Sequence, residues 1–81
     1  MKTDEELMEE YKKGGEAAFN EIYLRYKKRV YGYLMKRVKA EQSDDLFQQV
    51  FSRLHEKRYL FKEGDPFAPW FFTLIKNYHL F

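Results

Sequence analysis

Glu16 to Val38 reads EAAFNEIYLRYKKRVYGYLMKRV, and this stretch decides the fold class. Phe19, Ile22, Tyr23, Tyr26, Val30, Tyr33, Leu34 and Val38 recur at steps of three and four, which places them on one side of an α-helix. Between them lie Arg25, Lys27, Lys28, Arg29, Lys36 and Arg37, mostly on the opposite side. The spacing predicts one long amphipathic helix over about Glu16 to Val38.

Upstream, Gly14-Gly15 supplies a left-handed exit that stops a preceding helix. That helix starts at Thr3-Asp4-Glu5-Glu6, which has the spacing of a capping box with acids in the first turn, and should run to about Lys13. Downstream, Lys39-Ala40-Glu41-Gln42 reads as a short polar connection. Ser43 is expected to cap a third helix, with Asp44 and Asp45 in its positive first turn. Leu46, Phe47, Val50, Phe51 and Leu54 keep the helical spacing, and Asp45, Gln48, Gln49, Ser52, Arg53 and Glu56 form the other face.

After Arg58 the pattern breaks. Tyr59 to Pro69 contains Gly64-Asp65-Pro66 and Pro69, so a loop is expected there. Asp65 or Ala68 can cap a fourth helix from about Pro69 to the end, apolar nearly all round. Four helices and no strand signal define an all-α domain.

The chain has 81 residues, enough for one domain with one core. Domains this small are marginally stable, and eight Phe, seven Tyr and one Trp supply large buried areas that partly compensate. There is no cysteine, which excludes a disulfide scaffold, a thiolate metal site and a Cys nucleophile, and suits the cytosol. The acidic residues 1–10 lack the apolar segment of a signal peptide. No apolar run approaches the ~20 residues that a membrane span needs, so no membrane partner is expected.

The net charge of +2 hides an alternation: residues 1–16 sum to −3, 17–40 to +6, 41–56 to −3 and 57–81 to +2. The +6 block fits a surface for polyanions or acidic partners, although by itself a solvated helix face is the preferred reading. Catalysis finds little support. His55 and His79 have no metal-ligand spacing, no Gly-rich phosphate loop exists, and Glu9-Glu10 and Asp44-Asp45 diverge on a helix. No cofactor is expected. The remaining signal is basic side chains interleaved with aromatics around the loop (Lys57, Arg58, Tyr59, Phe61, Lys62, Phe67), with Trp70, Lys76 and Asn77 downstream. Phosphates attract the cations and unstacked bases lie on rings, so this combination suits single-stranded nucleic acid. The rings are also what a core would use, which is the preferred reading for Trp70, Phe71 and Leu74.

Asp44-Asp45-Leu46-Phe47-Gln48-Gln49-Val50-Phe51-Ser52-Arg53-Leu54 resembles the D-L-x-Q-x-V-F segment of bacterial RNA polymerase sigma factors of the extracytoplasmic-function type. Gly14-Gly15-Glu16-Ala17-Ala18-Phe19 with Tyr23, Arg25 and Tyr26 is similar to the start of that family's domain two. Phe67 to Asn77 is similar to its F-x-x-W-L-x-x-I-A-x-N run. The three segments stand in the right order and cover almost the whole chain. The resemblance implies one domain over residues 1–81, carrying regions one-two to two-three and the start of two-four, without domain four.

By position, the resemblance implies that Asp45, Gln48, Gln49 and Ser52 dock on the clamp helices of the core RNA polymerase β′ subunit. It implies that the loop before the last helix receives a base flipped from the non-template strand of the minus-ten promoter element. Arg58, Tyr59, Lys62, Phe67, Lys76 and Asn77 are the corresponding DNA-binding candidates, Asn77 as base reader and Lys62 and Lys76 as phosphate contacts. Promoter DNA would open by capture of unpaired bases, without covalent chemistry. An anti-sigma factor is a further implied partner, and the cytoplasm the implied location. Gly15 stands where the family usually has Asp, Gln49 where Glu is common, and Phe81 where an aspartate usually follows. A chain without the rest of region two-four should lose autonomous promoter selection, and a truncated sigma-like decoy for the clamp or an anti-sigma factor is the alternative reading.

Overall fold

The computed structural model describes residues 1–77. Thr3 opens the first helix as its spacing requires. Its hydroxyl accepts from the Glu6 N–H at 3.1 Å, and the Glu6 carboxylate accepts from the Thr3 N–H at 2.8 Å. Each side chain thereby satisfies a backbone donor that a helix start would leave without a partner. Helix α1 (Asp4–Lys12) ends at the glycine pair. Gly14 has a φ of 94°, which a residue with a Cβ adopts at a cost of roughly 1–2 kcal/mol. Its N–H reaches the Tyr11 carbonyl at 2.9 Å and the Gly15 N–H reaches Glu10 at 3.1 Å, so the last carbonyls of α1 are satisfied within the turn.

Helix α2 (Glu16–Met35) buries Ala18, Ile22, Tyr26, Val30 and Leu34, with Phe19, Tyr23 and Tyr33 partly covered against the same core. It stops before the expected Val38. The N–H groups of Arg37 and Val38 share the Leu34 carbonyl, at 2.9 and 3.0 Å, and this tight turn lets the chain reverse.

Helix α3 (Ala40–Lys57) starts three residues before Ser43, and this corrects the sequence reading. Lys39, extended at φ −68° and ψ 148°, holds the cap position without a side-chain hydrogen bond. Ser43 is fully buried inside the helix, its hydroxyl 3.2 Å from Met35 Sδ and 3.3 Å from the Lys39 carbonyl. Bonding back to the carbonyl four residues earlier is what an interior helix serine does. The physical reason is packing: the end of α2 lies over Ser43, where only a small residue fits. Asp44 and Asp45 therefore stand in the second turn.

A 3-10 turn (Arg58–Leu60) leads into the loop, and helix α4 (Phe67–Asn77) follows. It begins two residues before Pro69 because a proline in the first turn forfeits no helical hydrogen bond. Neither Asp65 nor Ala68 caps it. The Phe67 N–H instead donates to the Glu5 carboxylate of α1 at 2.7 Å. The expected continuation through Tyr78 to Phe81 lies outside the described residues. Phe67, Phe71 and Ile75 face the core, while Ala68, Trp70, Phe72 and Leu74 are only partly covered.

The core is largely aromatic. Tyr26 meets Phe67 edge-on at 5.1 Å, Phe67 stacks on Phe71 at 5.2 Å, Phe71 reaches Phe51 at 5.7 Å, and Phe51 meets Tyr23 at 5.0 Å. Each such pair is worth ~0.5–1.5 kcal/mol beyond area burial. Helices α2, α3 and α4 are thus tied through one chain of rings, and among the described residues there is no strand.

Candidate binding surfaces

On α3 the carboxylate, amides and hydroxyl of Asp45, Gln48, Gln49 and Ser52 are all exposed. Their spacing of three and four brings them onto one face of the helix, opposite buried Val50, Phe51 and Leu54. The four candidates therefore form one contiguous polar strip.

Beside the strip runs an open groove between α2 and α3, with a volume of about 1100 Å³. Phe19, Tyr23, Phe47 and Phe51 line its apolar part, Lys27 and Lys28 belong to its α2 side, and Gln48 and Ser52 belong to its α3 side. Asp45 and Gln49 stand on the outer shoulder. Tyr31 crosses the groove, its hydroxyl donating to Asp44 at 2.8 Å and its ring 5.6 Å from Phe47. That hydrogen bond raises the phenol pKa above its ordinary value. The groove was not legible in the sequence, since its walls come from two helices.

The candidates near the loop divide. Tyr59 is 62% exposed and Lys62 is exposed, as a ligand-contacting role requires. Leu60, which no motif singled out, is 61% exposed beside them. Phe67 is fully buried, a core residue packed on Tyr26, Phe61 and Phe71. Arg58 is not a free cation. Its guanidinium donates to the His55 carbonyl and the Tyr59 hydroxyl, and lies over the rings of Tyr59 (4.2 Å) and Tyr11 (5.4 Å). Lys76 and Asn77 are exposed at the far end of α4. At 1.5 Å rise per residue they stand about 15 Å along the helix from Phe67. The loop and the end of α4 are thus two surfaces rather than one.

Helix α1 braces the loop at both ends. Lys12 Nζ donates to the Phe61 carbonyl at 2.7 Å, where the loop leaves the 3-10 turn, and Glu5 holds the Phe67 N–H where it enters α4. Tyr11 is buried with its hydroxyl 2.6 Å from His55 Nδ1. Desolvation pushes its pKa up to about 12, so the phenol stays neutral at physiological pH.

Three groups of cations stand on α2 and the turn after it. Arg25 is ion-paired with Asp4 at 3.0 Å and Glu21 at 3.2 Å, hydrogen bonds that raise its pKa further. Lys27 and Lys28 line the groove. Arg29 and Arg37 lie on aromatic rings facing α4. Tyr26 donates to Asp4 at 2.5 Å, and burial followed by that contact lifts its pKa to about 12. Among the described residues no three His, Cys, Asp or Glu side chains come together as a metal site, and no helix is long and apolar enough to cross a membrane.

Residues 22–80 match the family model for Sigma-70 region 2. The RNA polymerase sigma factor CarQ of Myxococcus xanthus is 31% identical over 71 residues, covering 86% of this chain and 41% of that protein. The ECF RNA polymerase sigma-E factor of Haemophilus influenzae is 28% identical over 75 residues, covering 93% of this chain and 40% of that protein. The chain spans about two-fifths of the length of these curated relatives. No solved structure matches it significantly.

Proposed function

This chain belongs to the sigma-70 region 2 family, and we propose that it acts in transcription initiation by docking on core RNA polymerase and helping to open promoter DNA. The docking surface is the α3 strip of Asp45, Gln48, Gln49 and Ser52, seated on the clamp helices of the β′ subunit. The observation that carries this reading is the common exposure of the four side chains beside an apolar groove. A polar strip flanking a partly apolar concavity offers specific hydrogen bonds together with buried area, the two ingredients of an interface. Gln49, uncharged where the family often has Glu, makes docking here depend on amide hydrogen bonds more than on charge.

Promoter opening then follows from binding alone. Tyr59, Lys62 and the braced loop hold a base flipped from the non-template strand, and Asn77, with both donor and acceptor, reads a base edge at the far end of α4. Flipping costs a few kcal/mol, which pocket contacts and cations offset. An anti-sigma factor would compete for the α3 strip and groove. The internal engagement of Arg58 and the burial of Phe67 favour a second reading, a docking module with little strand affinity of its own.

Photo-crosslinking separates docking from its absence. A benzophenone amino acid at position 48 or 49 is expected to crosslink to β′ in reconstituted holoenzyme, whereas one at exposed Ala17 is not. Equal labelling from positions 17 and 48 would contradict the assignment.

A further inference from the structure

The loop between Phe61 and Phe67 hangs from two fixed points. Both phenylalanines are fully buried, with their ring centroids 6.0 Å apart. Within the loop the Asp65 N–H donates to the Lys62 carbonyl at 3.0 Å, and Gly64 takes a φ of 96°, the left-handed conformation that a tight turn demands. Lys62, Glu63, Gly64 and Pro66 are exposed. The loop is therefore a closed turn that faces outward from an aromatic base.

Buried rings fix where the ends of the loop sit, but they leave the peptide planes free to rotate. Those planes are held by two charged side chains of α1. Lys12 Nζ donates to the Phe61 carbonyl at 2.7 Å, and the Phe67 N–H donates to the Glu5 carboxylate at 2.7 Å. Hydrogen bonds with one ionised partner are roughly twice as strong as neutral ones. Glu5 and Lys12 stand on one face of α1, about two turns or 10 Å apart along its axis. The helix is itself anchored, through buried Leu7, Met8 and Tyr11 and through Asp4, which receives Arg25 and Tyr26 of α2. Helix α1 is thus a rigid ruler laid across the mouth of the loop. A loop held in its binding shape beforehand spares the ordering cost that a floppy one incurs when it takes a ligand.

We propose that Lys12 and Glu5 are positioning residues for base capture, holding the loop in one shape before a strand arrives and touching no part of the strand themselves. This rests on the reading of the loop as the element that receives a flipped base. It gives α1, which contributes nothing to the docking strip, a part in promoter opening.

The test uses the whole chain and a degenerate pool of fluorescent DNA single strands of roughly 12 nucleotides, within known site sizes. The parent selects its preferred sequence, and that strand is then titrated across a salt series. Lys12→Met keeps the stem and loses the donor, whereas Lys12→Arg keeps both charge and donor. Lys12→Met is expected to weaken binding about ten-fold, the size of one hydrogen bond to a charged group. Its log–log salt slope should stay parental, because a lysine that held a phosphate would take ~0.7 off the slope when removed. Lys12→Arg should restore affinity. Amide hydrogen exchange separates positioning from a general loss of stability: in Lys12→Met the Asp65 N–H should exchange faster, while Val50 and Leu54 of α3 keep parental protection. If the parent binds and Lys62→Ala weakens it, but Lys12→Met binds with parental affinity, the positioning proposal falls and the loop reading stands. A salt slope that drops in Lys12→Met makes Lys12 a direct contact and also overturns the proposal. A folded parent that selects no sequence from the pool overturns both readings.

Discussion

Asp4, Glu5 and Glu6 stand side by side and do three different things. Asp4 receives Arg25 and Tyr26 of α2, Glu5 caps α4, and Glu6 closes the box with Thr3. What reads as an acidic terminus is thus a set of tethers from α1 to the rest of the molecule. Only the last was legible in sequence, because a capping box is local, whereas partners 21 and 62 residues away are not. Glu6 accepts from the Thr3 N–H and then from its hydroxyl, and these bonds hold its carboxyl pKa below the ordinary 4.5. A lowered folded pKa means that the group's stabilisation is present above pH 4.5 and lost as pH falls through the lowered value. Thr3→Ala should raise the Glu6 pKa toward its ordinary value in an NMR titration and cost about 1 kcal/mol in urea unfolding. An unmoved Glu6 titration would mean that the box does not form in solution.

At the scale of elements, all four helices were legible from hydrophobic spacing, and so were the stops at Gly14-Gly15 and after Arg58. The boundaries set by tertiary packing were not. Nothing local distinguishes a serine that caps α3 from one that α2 covers, and the second turn of α3 depends on where Met35 arrives. The two readings of Ser43 predict opposite mutational orders. A cap serine tolerates Asp and loses about 1 kcal/mol as Ala. A buried serine packed under α2 tolerates Ala at small cost, but Asp would bury a charge without a counterion. Ser43→Ala should therefore melt close to the parent, and Ser43→Asp should melt far below it or fail to fold. The reverse order in thermal unfolding would restore the cap. α4 teaches the same lesson: Pro69 marked a start, yet the helix begins at Phe67 because α1 lends it a carboxylate.

Over the whole molecule, the charge alternation becomes an arrangement of surfaces. Acidic α1 tethers and braces, the cations from Arg25 to Arg37 divide between tether, groove and aromatic rings, and α3 presents a polar strip beside the groove. The strip was legible in sequence because its residues share one helix at helical spacing. The loop set was only partly legible, since an aromatic beside a lysine reads the same whether it is buried like Phe67 or exposed like Tyr59. The internal partners of Arg58 were not legible for a related reason: the Tyr11 ring that it covers lies far away in sequence. The central claim is that α3 docks on polymerase. Its most direct test is a fluorescence-anisotropy titration of the whole chain against the isolated β′ clamp-helix segment at two salt concentrations, repeated with Gln48→Ala, Gln49→Ala. Saturable binding is expected, weakened at least ten-fold by the double substitution, with only a modest salt dependence because the strip carries two amides and a hydroxyl beside a single carboxylate. A folded chain that does not bind, or a double variant that binds like the parent, would contradict the account.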